Sequence, residues 1–344
     1  MHSPPDNQTR LALYRTMVRI RAFEEAANEA SQGGVAAFGQ ALGQVAKVRG
    51  PLHLSIGQEA VAAGVCFHLA AQDWLTSTHR GHGHTLAKGA DLERMMHELF
   101  GKASGFCGGR GGSMHIADFS VGMLGANGVV AAGIPIAVGA AHSMKIQGRD
   151  AIAVTFFGDG AINRGPFAEA LNWAAVFALP VLFVCEDNQW SATTRTDQMS
   201  AGEGAAARAR SYGVTARSVD GMDVEAVHAV AGELVAAIRG GAGPQLLHAD
   251  TYRFSGHVSV DPASYRDPGE LAVAMDRDPI VLARERFIAA GITSAELDSI
   301  MAQARREVAL AVESATHAPA PEPRAAYTEI QDLMGAQAPM GASA

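Results

Sequence analysis

The sequence predicts an α/β protein built on a doubly wound, mainly parallel sheet with flanking helices and helical N- and C-terminal extensions. Three observations carry this. Ala151–Phe157 and Val181–Cys185 are continuous apolar runs rich in β-branched and aromatic residues, the pattern of strands buried on both faces. Between them, Phe167, Ala170, Leu171, Ala174 and Phe177 recur at helical spacing within Pro166–Ala178. The tight turn Gly158-Asp159-Gly160 joins the first run to that helix, and strand, turn, helix, strand is a unit that requires a parallel pair.

Composition narrows the class. The chain has 344 residues, 48% apolar and 18% charged, which suffices for a large core and excludes disorder over most of its length. The low charge fraction fits either an alanine-rich core or a surface covered by another subunit. A net charge of -8 argues against electrostatic nucleic-acid binding, and no basic block suggests a membrane surface. The longest apolar run, Trp173–Cys185, contains Pro180 and falls short of the ~20 residues that span a bilayer. A soluble, cytoplasmic protein is expected. Cys66, Cys107 and Cys185 are too few and too widely spaced for a disulfide framework or a zinc site; Cys185 reads as a small core residue.

Residues 10–32 read as an amphipathic helix with Leu11, Tyr14, Val18 and Ala22 on one face, ended by Gly33–Gly34. Val35–Arg49 reads as a loop or lid. A second helix is expected from Gln58 to about Ala71. Two clusters dense in Gly and His follow, Thr78–His84 and Gly108–His115. Glycine allows close approach of backbone to a ligand, so these are either ligand-facing loops or exposed turns. His82 and His84 either line an entrance or cap turns. His68, His97, His142 and His228 lie on helical patterns and are assigned no role. Past the central unit, a helix over Val224–Arg239 and a strand over Gln245–Tyr252 continue the alternation. Two helices close it: Pro279–Ala290, with proline in its first turn, and Ser294–Ser314, with serine as N-cap. The chain thus divides into an N-terminal helix and loop (1–50), an α/β domain (51–315) and a Pro/Ala-rich tail (316–344).

In an open parallel sheet, ligands bind beyond the carboxyl ends of the strands. Asp159 and Asn188 stand at two such ends. Their oxygens suit a hard cation such as Mg²⁺. Glycines and a helix N-terminus beside them suit an anion. The unit reads as a metal-bridged diphosphate site. A dinucleotide fold is the competitor, but the third glycine of its fingerprint is missing; a plain structural turn also stays open.

Beyond this point the sequence resembles a family. Gly158-Asp159-Gly160 followed by Asn188 resembles the thiamine-diphosphate motif. The stretches His53–Ala60, Ser77–Gly89, Gly111–Asp118, Gly125–Val130, Leu179–Asn188, Asp220–Val224 and Tyr252–Arg266 resemble the alpha subunit of the thiamine-dependent component of 2-oxo-acid and acetoin dehydrogenase complexes. The resemblance implies a thiamine-diphosphate-binding fold with two cofactors, thiamine diphosphate and Mg²⁺. It implies Asp159, Asn188 and the backbone carbonyl of Trp190 as metal ligands, and Gly160, Ala161, Arg80 and His79 at the diphosphate. It implies Gly128 and Val130 against the aminopyrimidine, His257 as the active-site histidine, also touching cofactor, and His53 and His115 in the substrate channel. It implies a separate beta subunit, in an assembly of two alpha and two beta chains, and a lipoyl-bearing acyltransferase as acyl acceptor. The substrate is a small molecule, acetoin or pyruvate. The alternatives are a branched-chain 2-oxo-acid dehydrogenase alpha subunit and a transketolase-like half enzyme. Asp187 departs from a common asparagine, with Arg164 as its expected counter-charge.

Overall fold

The computed structural model describes residues 4–32, 46–48 and 50–325. The helix stop at Gly33–Gly34 and nearly all of the Val35–Arg49 loop lie outside them. The chain opens with α1 (Asn7–Ser31), capped by Asp6, whose carboxylate accepts from Thr9 N at 2.7 Å. Then come α2 (Glu59–Cys66), β1 (Trp74–Thr76), α3 (His82–Ala87), α4 (Leu92–Leu99), β2 (Met123–Gly125) and α5 (Gly133–Ile146). The central unit is β3 (Ala153–Gly158), α6 (Gly165–Val176) and β4 (Val181–Asp187). A small hairpin, β5 (Trp190–Ser191) with β6 (Thr194–Arg195), leads through α7 (Thr196–Met199) and α8 (Gly204–Ser211) to β7 (Thr215–Asp220). The rest is α9 (Val224–Arg239), β8 (Gln245–Asp250), α10 (Pro268–Met275), α11 (Pro279–Ala289) and α12 (Ser294–His317).

Six strands form one parallel sheet in the order β2-β1-β3-β4-β8-β7. The period of two decides its packing. Leu182 and Val184 of β4 face a core built with α1, α2, α9 and α12, while Val181, Phe183 and Cys185 face one built with α5, α6 and α8. Both faces are covered, which is why the strands read as unbroken apolar runs. Truncating such a residue, for example Leu182→Ala, is expected to cost about 2–5 kcal/mol. No helix among the described residues is long and apolar enough to cross a membrane.

Several expectations need correction. The helix from Gln58 stops at Cys66, not near Ala71. The chain must reverse there to enter β1, and Asp73 pins the reversal by accepting from Ala70 N at 2.7 Å and Ile152 N at 2.9 Å. The first Gly/His cluster is not only a turn, because α3 begins inside it at His82, and α4 lies between the two clusters. Phe177 sits at the end of α6 and is 40% exposed, outside the buried face. The N-cap of α12 is Thr293, which forms a capping box with Glu296. That helix runs through His317, and residues 318–325 after it are held on the domain: Lys102 donates to Ala318 O at 2.7 Å and Arg110 to Ala325 O at 2.7 Å.

Candidate active site

A cavity of ≈ 220 Å³ lies beyond the carboxyl ends of the strands. Ser77–Arg80 follow β1, Gly128–Ala131 follow β2, Asp159–Ala161 follow β3, Asn188 follows β4, and Arg253 and His257 follow β8. The β3–β4 register places Gly158 opposite Glu186, so the turns bearing Asp159 and Asn188 leave the sheet side by side. Asp159 accepts from the Thr196 hydroxyl, and Asn188 donates to Gln58 Oε1 at 3.0 Å. Backbone strain collects here: Ala131, Gln189 and Ala192 all have positive φ (72°, 66° and 52°).

Position 160 is tightly packed. A Cβ there would lie 2.3 Å from Ser191 Oγ. By contrast, a Cβ on Gly158 would meet nothing nearer than Glu186 O at 3.9 Å.

The charges divide the cavity. Burial, with the negative Asp187 behind it, pushes the Asp159 carboxyl up to about 7; a cation would relieve both. The same cavity holds two buried guanidiniums. Arg80 donates to Leu54 O at 2.8 Å and His257 O at 3.1 Å, and Arg253 to Ala192 O at 3.2 Å and Ser255 O at 3.2 Å. His53, His79 and His257 lie together, with ring centroids 4.5–5.6 Å apart. Burial and the neighbouring Arg80 push them down to about 3, 2 and 4, so all three are neutral at physiological pH. His53 Nδ1 is buried without a partner.

An oxygen-rich end next to an Arg-rich wall is a layout for a metal-bridged anion. The dehydrogenase E1 component family matches residues 35–324. The chain belongs to that family. Subunit alpha of acetoin:2,6-dichlorophenolindophenol oxidoreductase from Cupriavidus necator is 42% identical over 330 residues, covering 95% of each chain. Its Bacillus subtilis counterpart is 40% identical over 320 residues, covering 93% of this chain and 92% of its own. Pyruvate dehydrogenase E1 component subunit alpha from Zymomonas mobilis is 37% identical over 327 residues, covering 94% of this chain and 89% of its own.

In this E1 chain, eleven of the twelve expected site residues line one cavity: His53, His79, Arg80, Gly128, Val130, Asp159, Gly160, Ala161, Asn188, Trp190 and His257. His115 does not; it is exposed, its ring 3.5 Å from where a Cβ on Gly128 would stand. His82 and His84 neither line an entrance nor cap turns. Both are buried, hydrogen-bonded to Glu24 and Ser113 and to Ser77 and Glu186 respectively. Asp187 is not offset by Arg164, which is exposed; His248 takes that place at 2.9 Å. Sequence reasoning missed Arg253, Gln58 and Glu186 in the cavity wall. Arg253 sits four residues before His257 and is 1% exposed; its place beside the expected histidine was the available signal.

Proposed function

We propose that this chain is the alpha subunit of a dehydrogenase that uses thiamine diphosphate and Mg²⁺ to cleave acetoin or a small 2-oxo acid and pass the acyl unit to lipoamide. The observation that carries this is the pairing of Asp159 and Asn188 at adjacent strand ends, in a cavity that Arg80 also lines. The residues fit the cofactor. Asp159, Asn188 and the Trp190 carbonyl offer the hard oxygen donors that Mg²⁺ takes. Arg80 and the backbone amides of Gly160 and Ala161 suit a diphosphate, and Gly128 and Val130 suit the pyrimidine.

When bound, the cofactor supplies the carbon nucleophile that no side chain in the cavity offers. The chain's residues do the rest. Arg80 and Arg253 point at His257 Nδ1 from 3.3 and 3.4 Å, so the neutral ring holds its proton on Nε2 and donates to a substrate oxygen. His53 and His79 pack against that ring and orient it. Val129 and Val130 are 65% and 46% exposed at the cavity edge, apolar surface that suits cover by a beta subunit in an assembly of two alpha and two beta chains. A lipoyl-bearing acyltransferase is the acceptor, in the cytoplasm.

Acetoin is the first substrate reading, following the relatives at 42% and 40% identity. Pyruvate is the second, because Arg253, in the cavity wall beside His257 and not used for the diphosphate, offers positive charge to a carboxylate. The test is thiamine-dependent reduction of an artificial electron acceptor by the chain with its partner subunit. Acetoin-only activity supports the first reading and pyruvate activity the second. Silence with both contradicts the proposal and turns attention to branched 2-oxo acids.

A further inference from the structure

The glycine-rich loop after α4 is wrapped round a buried carboxylate. Glu98, at the end of α4, is fully buried. Its Oε2 accepts from Cys107 N at 2.7 Å and Gly109 N at 2.9 Å; its Oε1 accepts from Gly111 N at 2.8 Å and Gly112 N at 3.0 Å. Four backbone amides thus replace water around one anion. The glycines follow from this fit. A Cβ on Gly105 would lie 2.4 Å from Glu98 Oε2, and one on Gly109 would lie 2.4 Å from Gly101 C.

What the loop delivers is the near wall of the cavity. Ser113 is hydrogen-bonded to His82 at 3.0 Å, and Met114 lines the cavity. His115 stands beside Gly128, and Ala126 N donates to Ile116 O at 2.8 Å, tying the loop to the segment before α5. Asp159 and Asn188 are held separately, by the strand ends.

We infer that Glu98 is a positioning residue: by gripping the loop through four amides, it sets where Met114 stands in the cavity wall and so governs substrate capture rather than diphosphate binding. This rests on the functional reading given above. A glutamine at 98 would turn one acceptor into a donor facing amides that are themselves donors. The carboxylate therefore matters beyond its shape, and an aspartate should restore part of its effect.

The experiment compares the parent, Glu98→Gln and Glu98→Asp chains, each produced with its partner subunit. Two quantities are read: the Kd for thiamine diphosphate with Mg²⁺, and kcat and KM with acetoin and pyruvate. Glu98→Gln should raise KM by about tenfold or more with cofactor Kd and kcat changed by less than about threefold, and Glu98→Asp should recover part of the KM. An unchanged KM in Glu98→Gln, or a KM and a cofactor Kd that rise together, overturns the inference. If Glu98→Gln does not assemble, Glu98→Asp decides: a raised KM at constant Kd supports the inference, and an unchanged KM overturns it. A parent chain that binds no thiamine diphosphate refutes the functional reading instead, and the two failures are told apart by that first titration.

Discussion

The loop Gly105–Gly112 and the turn Gly158–Gly160 both use glycine to bring the backbone close to a partner, yet they differ in where the partner comes from. The first wraps Glu98, an anion from its own chain, with four amides. The second packs on Ser191 on one side and lines a cavity on the other, with Asp159 at its centre and Arg80 in the same cavity wall. Glycine density alone therefore does not mark a ligand site. In the first, the chain itself supplies the charge that the amides face.

Substitutions should break this contrast in graded ways. The largest effect is expected for Asn188→Ala, which removes an oxygen donor and leaves Gln58 without its partner. Cofactor-dependent turnover should fall by about 10²-fold or more, measured at saturating Mg²⁺. Gly160→Ala comes next. Its methyl would collide with Ser191 Oγ at 2.3 Å, and thiamine diphosphate should bind about 100-fold more weakly, or ~2.7 kcal/mol, by calorimetry. In the loop around Glu98 the loss should appear as stability. Gly109→Ala, at φ 73° and 2.4 Å from Gly101 C, should destabilise by about 2–4 kcal/mol in urea unfolding, with cofactor affinity changed little once folded. Gly112→Ala shares the positive φ (59°) but meets nothing within 4 Å, so about 1 kcal/mol is expected. Equal losses at 109 and 112 would contradict the packing account.

A pH dependence follows from the three cavity histidines. His53, His79 and His257 are held at about 3, 2 and 4, while unfolded histidine titrates near 6.5. Below about pH 6.5 the unfolded chain takes up protons that the folded chain refuses, so these groups lower stability as pH falls toward their folded values. They contribute no slope above about pH 7.5. The urea midpoint should be lower at pH 5 than at pH 7.5. The imidazole signals of these three residues should not titrate between those values.

Much of this was legible in the sequence, for physical reasons. β3, α6, β4 and α9 are long, strongly patterned and buried by the sheet's own geometry, so period and composition suffice. β1 and β2 are three residues each and owe their place to the sheet rather than to pattern. The helices α3 and α4 were hidden among glycines and histidines, because His82 and His84 are buried through hydrogen bonds that run to Glu24 and Glu186, far away in sequence. Asp159 and Asn188 were readable because strand ends place them. Arg253 was not, since a buried arginine in a loop looks like a surface one until its carbonyl acceptors are known. The same holds for Glu98, whose partners are all backbone amides.

The most direct test is calorimetric titration of thiamine diphosphate into the parent, Asp159→Ala and Glu98→Gln chains, each with its partner subunit, with and without Mg²⁺. Metal-dependent binding to the parent and to Glu98→Gln, with none to Asp159→Ala, is the predicted result. Binding to Asp159→Ala as tight as to the parent would contradict the assignment of the Gly158–Gly160 turn to a metal-bridged diphosphate.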